Sequence, residues 1–269
     1  MNAISSRQNP FVQRCRALAR HRDAAGGAVL LDGFHLLADA LDAGVPIEAA
    51  VATSAAWASA DGALLAKRLE ALGTPLFEGT DAVLQAASPV RSSTGIVAVG
   101  RRQLASLDEA LAPAPALIVC AVQVQDPGNL GAIVRAAEAA GATSAVVAAG
   151  SADPLGWKAL RGSMGSAFRL PIAVATDAAA VCAEARARAI RVMATSPADG
   201  TSLYELDLAG PVLLLVGGEG AGLPADTRAL ADQGLRIPMH APVESLNVAV
   251  ATGIILFEAQ RQRRSRTHP

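Results

Sequence analysis

Aromatic side chains are scarce, at 3% of 269 residues with a single tyrosine. That excludes a surface built of stacked rings, and Phe11, Phe34 and Phe77 are expected in the core. Cys15, Cys120 and Cys182 are far apart and odd in number, which excludes a disulfide scaffold and fits a reduced, cytoplasmic setting. His21, His35, His240 and His268 make no ligand spacing, so no metal site is expected. Long apolar runs are missing too. Pro211–Val216 is strand-sized, far short of the roughly 18–20 residues a membrane span needs, so no membrane association is expected. The opening MNAISSRQNPF has no basic stretch followed by an apolar core, and a secretory leader is not expected.

What is present is small and apolar. Hydrophobic residues make up 52% of the chain, with 61 alanines among them, and charged residues only 17%. Disorder is excluded as the main state, and the length suits two domains. The formal net charge of −1 hides an asymmetry. Residues 1–22 hold Arg7, Arg14, Arg16, Arg20 and Arg22 and no acid, and residues 261–269 add four arginines and no acid. The remaining 238 residues hold 14 cations against all 24 acids. Basic ends on an acidic body suit a polyanionic partner met at defined places. From charge alone, arginines that merely solubilise the ends fit equally well.

The pattern is α/β throughout. Residues 1–100 alternate helices and short apolar strands as one self-sufficient layer. Residues 101–115 carry charge, a short helical stretch and two prolines, and read as a linker. From Ala116 the alternation restarts, with strands expected at Ala116–Val122, Thr143–Ala148, Pro171–Ala175, Ile190–Thr195, Val212–Val216 and Gly234–Pro238. Helices fall between most of them, and a long one runs from about 247 to 264. Continuous apolar strands between helices predict a buried parallel sheet over 116–269. Ligands in such sheets bind beyond the carboxyl ends of the strands.

Three polar segments sit at those ends. In Gln125-Asp-Pro-Gly-Asn-Leu-Gly131 the Asp126-Pro-Gly turn precedes Asn129, which is placed to cap a helix. Arg135 stands one turn above Gly131, able to lie across the bare glycine toward the helix start and meet an oxyanion there. A plain surface arginine is the other reading. In Val216-Gly-Gly-Glu-Gly-Ala-Gly-Leu223 a strand enters a glycine-rich loop, but the spacing is GxxGxG or GxGxG. A dinucleotide cradle needs GxGxxG, and Glu219 would put negative charge where a pyrophosphate belongs. A neutral or cationic ligand fits better. In Ile237-Pro-Met a strand ends, and Ser245-Leu-Asn247 opens the last helix, with Ser245 or Asn247 as N-cap.

Together and in this order, these segments resemble the signature of the SpoU (TrmH-type) RNA 2′-O-ribose methyltransferases of the SPOUT superfamily. The matching residues are Asp126-Pro-x-Asn129-x-Gly131 with Arg135, Gly217-x-Glu219-x-x-Gly222-Leu, and Ile237-Pro-Met with Ser245-Leu-Asn247. Lys158-x-x-Arg161-x-Ser163-x-Gly165 is similar to the family's segment between the first two motifs. Residues 1–100 resemble, more loosely, the small substrate-binding domain with a ribosomal-protein L30e fold that many members carry.

The resemblance implies a parallel-sheet domain with a deep trefoil knot, a homodimer formed through it, and S-adenosyl-L-methionine as cofactor. It places Gly217, Gly218, Ile237, Leu246 and Thr195 around the cofactor. Asn129, Arg135, Glu219, Ser245 and Asn247 take the positions of the catalytic set. The substrate would be RNA, ribosomal more than transfer, with Arg7, Arg14, Arg16, Arg20 and Arg22 and the C-terminal arginines on its phosphates. A guanidinium is ordinarily protonated, so Arg135 is expected to position a phosphate and stabilise a developing alkoxide, its role as a base left open. Glu219 is expected to orient loop N–H groups and Asn247. The rival readings are a non-catalytic RNA- or ribosome-binding protein that keeps the fold, and a nucleotide-dependent oxidoreductase, which the glycine spacing disfavours.

Overall fold

Alanine-rich helices alternating with short apolar strands give two separate sheets in the computed structural model, which describes residues 1–20, 23, 27–91, 93–197, 199–220 and 222–267. The chain begins with β1 (Asn2–Ile4), α1 (Pro10–Arg20), β2 (Ala28–Asp32), α2 (Phe34–Asp42) and β3 (Ile47–Ala52). It continues through α3 (Ser54–Ala58), α4 (Ala60–Ala71), β4 (Leu76–Gly79), α5 (Asp81–Ala87) and β5 (Ile96–Arg101). Thr53, Ser59 and Thr80 start α3, α4 and α5 by accepting a backbone N–H three residues on. The sheet order is β1-β4-β3-β5-β2, parallel except where β5 runs antiparallel to β3 and β2.

Then come α6 (Leu107–Leu111), β6 (Leu117–Val122), α7 (Pro127–Ala139) and β7 (Ser144–Ala148), followed by α8 (Trp157–Ser163) and α9 (Ser166–Arg169). The rest is β8 (Ile172–Ala175), α10 (Ala178–Ala187), β9 (Arg191–Thr195), β10 (Thr201–Ser202), β11 (Val212–Gly217), α11 (Ala225–Arg228), β12 (Gln233–Arg236) and α12 (Val248–Thr267). These strands form a wholly parallel sheet in the order β10-β12-β9-β11-β6-β7-β8. Every residue of β6 and β11, at its centre, is buried, as continuous apolar runs between helices require. β1 and β10, three and two residues long, carry no periodicity to read and exist through pairing with β4 and β12.

The chain divides into two compact units, Met1–Gln103 with Leu155–Phe168, and Leu104–Pro154 with Arg169–Pro269. Two boundaries differ from expectation. Residues 101–115 are not a linker: Arg101 ends β5, while Ala110 and Leu111 are buried in the core of the second unit. The segment Leu155–Phe168, read as part of the methylase region, packs with the first unit because Trp157 covers the core around Ile4, Val12, Leu30 and Val97. Among the described residues no helix is long and apolar enough to cross a membrane, and no group of three His, Cys, Asp or Glu could hold a metal ion.

Candidate active site

The neighbouring strands β12, β9 and β11 of the second unit end at one edge, and their carboxyl ends open into a cavity of about 390 Å³. β11 supplies the tightest part. A Cβ on Gly217 would lie 2.3 Å from the carbonyl carbon of Gly222, and one on Gly218 would lie 2.1 Å from the carbonyl oxygen of Gln123. Glycine is therefore demanded by the loop's own backbone and its neighbour, not only by the approach of a ligand. Gly218 and Gly222 pair across this loop as an isolated bridge.

Glu219, between them, is fixed by side chains from two other elements. It accepts a hydrogen bond from Nδ2 of Asn129, in the first turn of α7. Asn129 Oδ1 accepts in turn from Nδ2 of Asn247 at 2.9 Å. Asn247 Oδ1 accepts the backbone N–H groups of Ala249 at 2.9 Å and Val250 at 3.3 Å, capping α12. The chemistry of the donors forces each orientation. The carboxylate accepts only, so the Asn129 amide turns its nitrogen to Glu219 and its oxygen to Asn247, whose own oxygen is left for the helix. Three segments separated by 90 and 118 residues are thus joined in one line.

The expected cofactor residues Thr195, Gly217, Gly218, Ile237 and Leu246 all line the cavity, as do Glu219, Ser245 and Asn247. Asn129 sits behind Glu219 and does not line it. Two expectations are corrected. Asp126, not Asn129, caps α7, accepting the Asn129 N–H at 2.8 Å, and Glu219 reaches Asn247 only through Asn129. An Asp immediately before Pro127 was the available signal for that cap. Arg135 is exposed on α7, outside the cavity, and has no hydrogen bond or ion pair among the described residues. Ser196, Pro197 and Met239 also line the cavity; Met239 stands in the Ile237-Pro-Met motif, while Pro197 had no sequence signal. Among the described lining residues, Glu219 is the one ionisable side chain, over a floor that includes Leu235, Val248 and Ile255.

The arginines expected on RNA separate. Arg7, Arg16 and Arg20 line a second cavity, within the first unit, whereas Arg14 pairs with Glu48 at 2.5 Å and Arg22 lies outside the described residues. At the C-terminal end Arg261 pairs with Glu258 at 2.7 Å and Arg266 with Asp207 at 3.0 Å. Arg263 donates to the carbonyls of Pro115 (3.1 Å), Ala116 (2.7 Å), Leu208 (3.3 Å) and Gly210 (2.6 Å), and burial pushes its guanidinium below the ordinary value. Arg263 is therefore a structural tie, not a phosphate contact; Arg261 and Arg266 are engaged by carboxylates.

Known proteins carry the same organisation. Residues 116–257 match the SpoU rRNA Methylase family. An uncharacterised tRNA/rRNA methyltransferase of Synechocystis is 32% identical over 99% of this chain and 96% of its own length. The 23S rRNA (guanosine-2′-O-)-methyltransferase RlmB of Pseudomonas syringae pv. tomato is 38% identical over 61% of this chain and 67% of its own. The AdoMet-bound rRNA methyltransferase of Sinorhizobium meliloti superposes with a TM-score of 0.82 over 97% of each chain, at 32% identity. With the matched region spanning the parallel sheet and every motif around its cavity, this chain belongs to the SpoU rRNA methylase family.

Proposed function

We propose that this protein transfers a methyl group from S-adenosylmethionine to a ribose 2′-hydroxyl of ribosomal RNA. The observation that carries the reading is the Glu219–Asn129–Asn247 line at the rim of a cavity whose sole ionisable group, among the described lining residues, is a carboxylate. Such a cavity suits a cationic ligand. Its volume falls in the range of small-ligand sites, about 300–1,000 Å³, and its apolar floor with backbone groups at the strand ends suits a nucleoside. When bound, S-adenosylmethionine supplies an electrophilic methyl on a sulfonium, already a good leaving group.

The chain's own task is then alignment and charge. Thr195, Gly217, Gly218, Ile237 and Leu246 hold the cofactor. Arg135, exposed and unpaired among the described residues, binds the substrate phosphate and stabilises negative charge developing on the 2′-oxygen. Asn129 and Glu219 act as positioning residues, holding α7, the glycine loop and α12 in one geometry. Ser245, on the cavity wall, is available to the ribose. A deep trefoil knot through the segment from β11 to α12 belongs to this reading, and so do a cytoplasmic location and a homodimer formed by the second unit. Val250 and Phe257, one heptad apart on α12 and about half exposed, support the dimer.

The test is incubation with unmodified ribosomal and transfer RNA and methyl-labelled S-adenosylmethionine, digestion to nucleosides and mass spectrometry. Label on a 2′-O-methylnucleoside of ribosomal RNA is expected. Label on a base overturns the ribose assignment, label confined to transfer RNA overturns the substrate, and absence of both label and cofactor binding leaves a non-catalytic RNA-binding protein.

A further inference from the structure

The second cavity, of about 860 Å³, lies within the first unit, between α1, α5 and the start of α8. Arg7, Arg16, Arg20 and Lys158 line it, and no acid does. Arg16 and Arg20 are one helical turn apart and share a face of α1. None of the four has an ion-pair partner among the described residues, in contrast to Arg14 on the same helix, which Glu48 neutralises. Lys158 is held over the Trp157 ring at 5.5 Å, and that ring packs on the core of the first unit. The fourth cation is thus anchored from beneath. Among the described residues the one acid bonded to a lining residue, Asp32, accepts from Ser88 Oγ at 2.5 Å and has the Arg161 charge nearby.

Four converging like charges repel one another, and the first unit supplies no carboxylate to relieve them within the cleft. A polyanion does. A single phosphate monoester would occupy a fraction of this space, and the broad, rigid surface of an A-form duplex does not enter a concave site of this size. Gln8 and Gln85 add neutral amides to the wall, able to donate and accept.

We propose that this cleft holds consecutive phosphates of an unpaired stretch of the RNA substrate, and that Lys158 and Trp157, from the sequence segment between β7 and β8, complete a site otherwise built from residues 7–89. The proposal rests on the methyltransferase reading only for the identity of the polyanion.

The probe is a fluorescein-labelled oligouridylate, titrated by anisotropy across a series of KCl concentrations. Arg16→Ala and Lys158→Ala are each expected to weaken binding and to lower the slope of log K against log salt by about 0.7, one single-strand phosphate contact. Arg14→Ala is expected to leave the slope unchanged. In a Trp57→Phe background Trp157 is the remaining tryptophan, and its emission is expected to change when the oligonucleotide binds. Slopes unmoved by Arg16→Ala and Lys158→Ala, or an equal loss in Arg14→Ala, would overturn the site. Displacement of the oligonucleotide by AMP at the oligonucleotide's own affinity would make it a pocket for a free nucleotide and overturn the RNA assignment. Calorimetry of S-adenosylmethionine binding separates the two readings. Intact cofactor binding and transfer with unmoved slopes removes the cleft alone, whereas shifted slopes without any transfer remove the methyltransferase reading alone.

Discussion

The two cavities of this protein are built on opposite principles. That of the second unit is walled by backbone, apolar side chains, the hydroxyls of Thr195, Ser196 and Ser245 and the Asn247 amide, with the Glu219 carboxylate as the ionisable group among its described lining residues. That of the first unit is walled by three arginines and a lysine with no acid. One is closed by Gly217 and Gly218 packed tightly against neighbouring backbone, the other is lined by long charged side chains. Precision about a reacting atom calls for the first kind of wall, and capture of a charged chain tolerates the second.

The sharpest way to break this contrast is Arg135→Ala, which removes the cation proposed to serve the rigid site. Transfer is expected to fall by about 10²-fold or more while calorimetric affinity for S-adenosylmethionine stays within a few-fold; an equal fall in both would remove its assigned role. Gly218→Ala tests rigidity itself. A Cβ 2.1 Å from the Gln123 carbonyl oxygen must displace the loop, and cofactor affinity is expected to drop by about 10²-fold, or about 2.8 kcal/mol. A near-normal dissociation constant would show that the loop yields, and the contrast would fail. Glu219 offers a finer test. Gln keeps an acceptor for Asn129 and Ala does not, so Glu219→Gln should retain most of the transfer rate and Glu219→Ala lose about tenfold or more. Rates equally low in both variants would instead point to proton transfer by the carboxyl.

Two smaller effects concern stability. Arg263→Ala, which removes a donor from four carbonyls, of which Ala116 keeps the Val212 N–H, is expected to cost about 1–3 kcal/mol in urea unfolding and to leave the salt slope of RNA binding untouched. A changed slope with unchanged stability would return that arginine to the RNA. Burial pushes the Cys15 thiol from its ordinary 9.0 to about 12. The folded state therefore favours the neutral thiol, and the stability this contributes is present below pH 9 and lost as pH rises toward 12. Alkylation of native protein at pH 8 should be slow at all three buried cysteines; rapid labelling at Cys15 would contradict its burial.

The two sites also differ in how far the sequence reveals them. The polar and glycine-rich segments at the strand ends stood out against alanine-rich surroundings, and the family resemblance drew Thr195, Gly217, Gly218, Ile237 and Leu246 together; all five line one cavity. The parallel sheet was legible for a similar reason, its strands being continuous apolar runs. The direction of the Asn129 amide was not, since it depends on partners 90 and 118 residues away. Charge counting fared worse at the chain ends. Arg7, Arg16, Arg20, Arg14 and Arg263 look alike in sequence, and only the positions of Glu48 and of four carbonyl groups distinguish a free cation from a tie. β1 and β10 lacked a pattern because two or three residues cannot show one.

The placement of Leu155–Phe168 in the first unit bears on the order in which the protein can be made. A chain emerging from the ribosome has residues 1–103 in hand long before Trp157 arrives to cover the core around Val12 and Leu30. The first unit must therefore wait, its core not yet covered by Trp157, while the first third of the second, Leu104–Pro154, is synthesised. Neither unit can be completed before the other is begun, and a nascent chain halted between them offers chaperones an exposed surface rather than a finished domain.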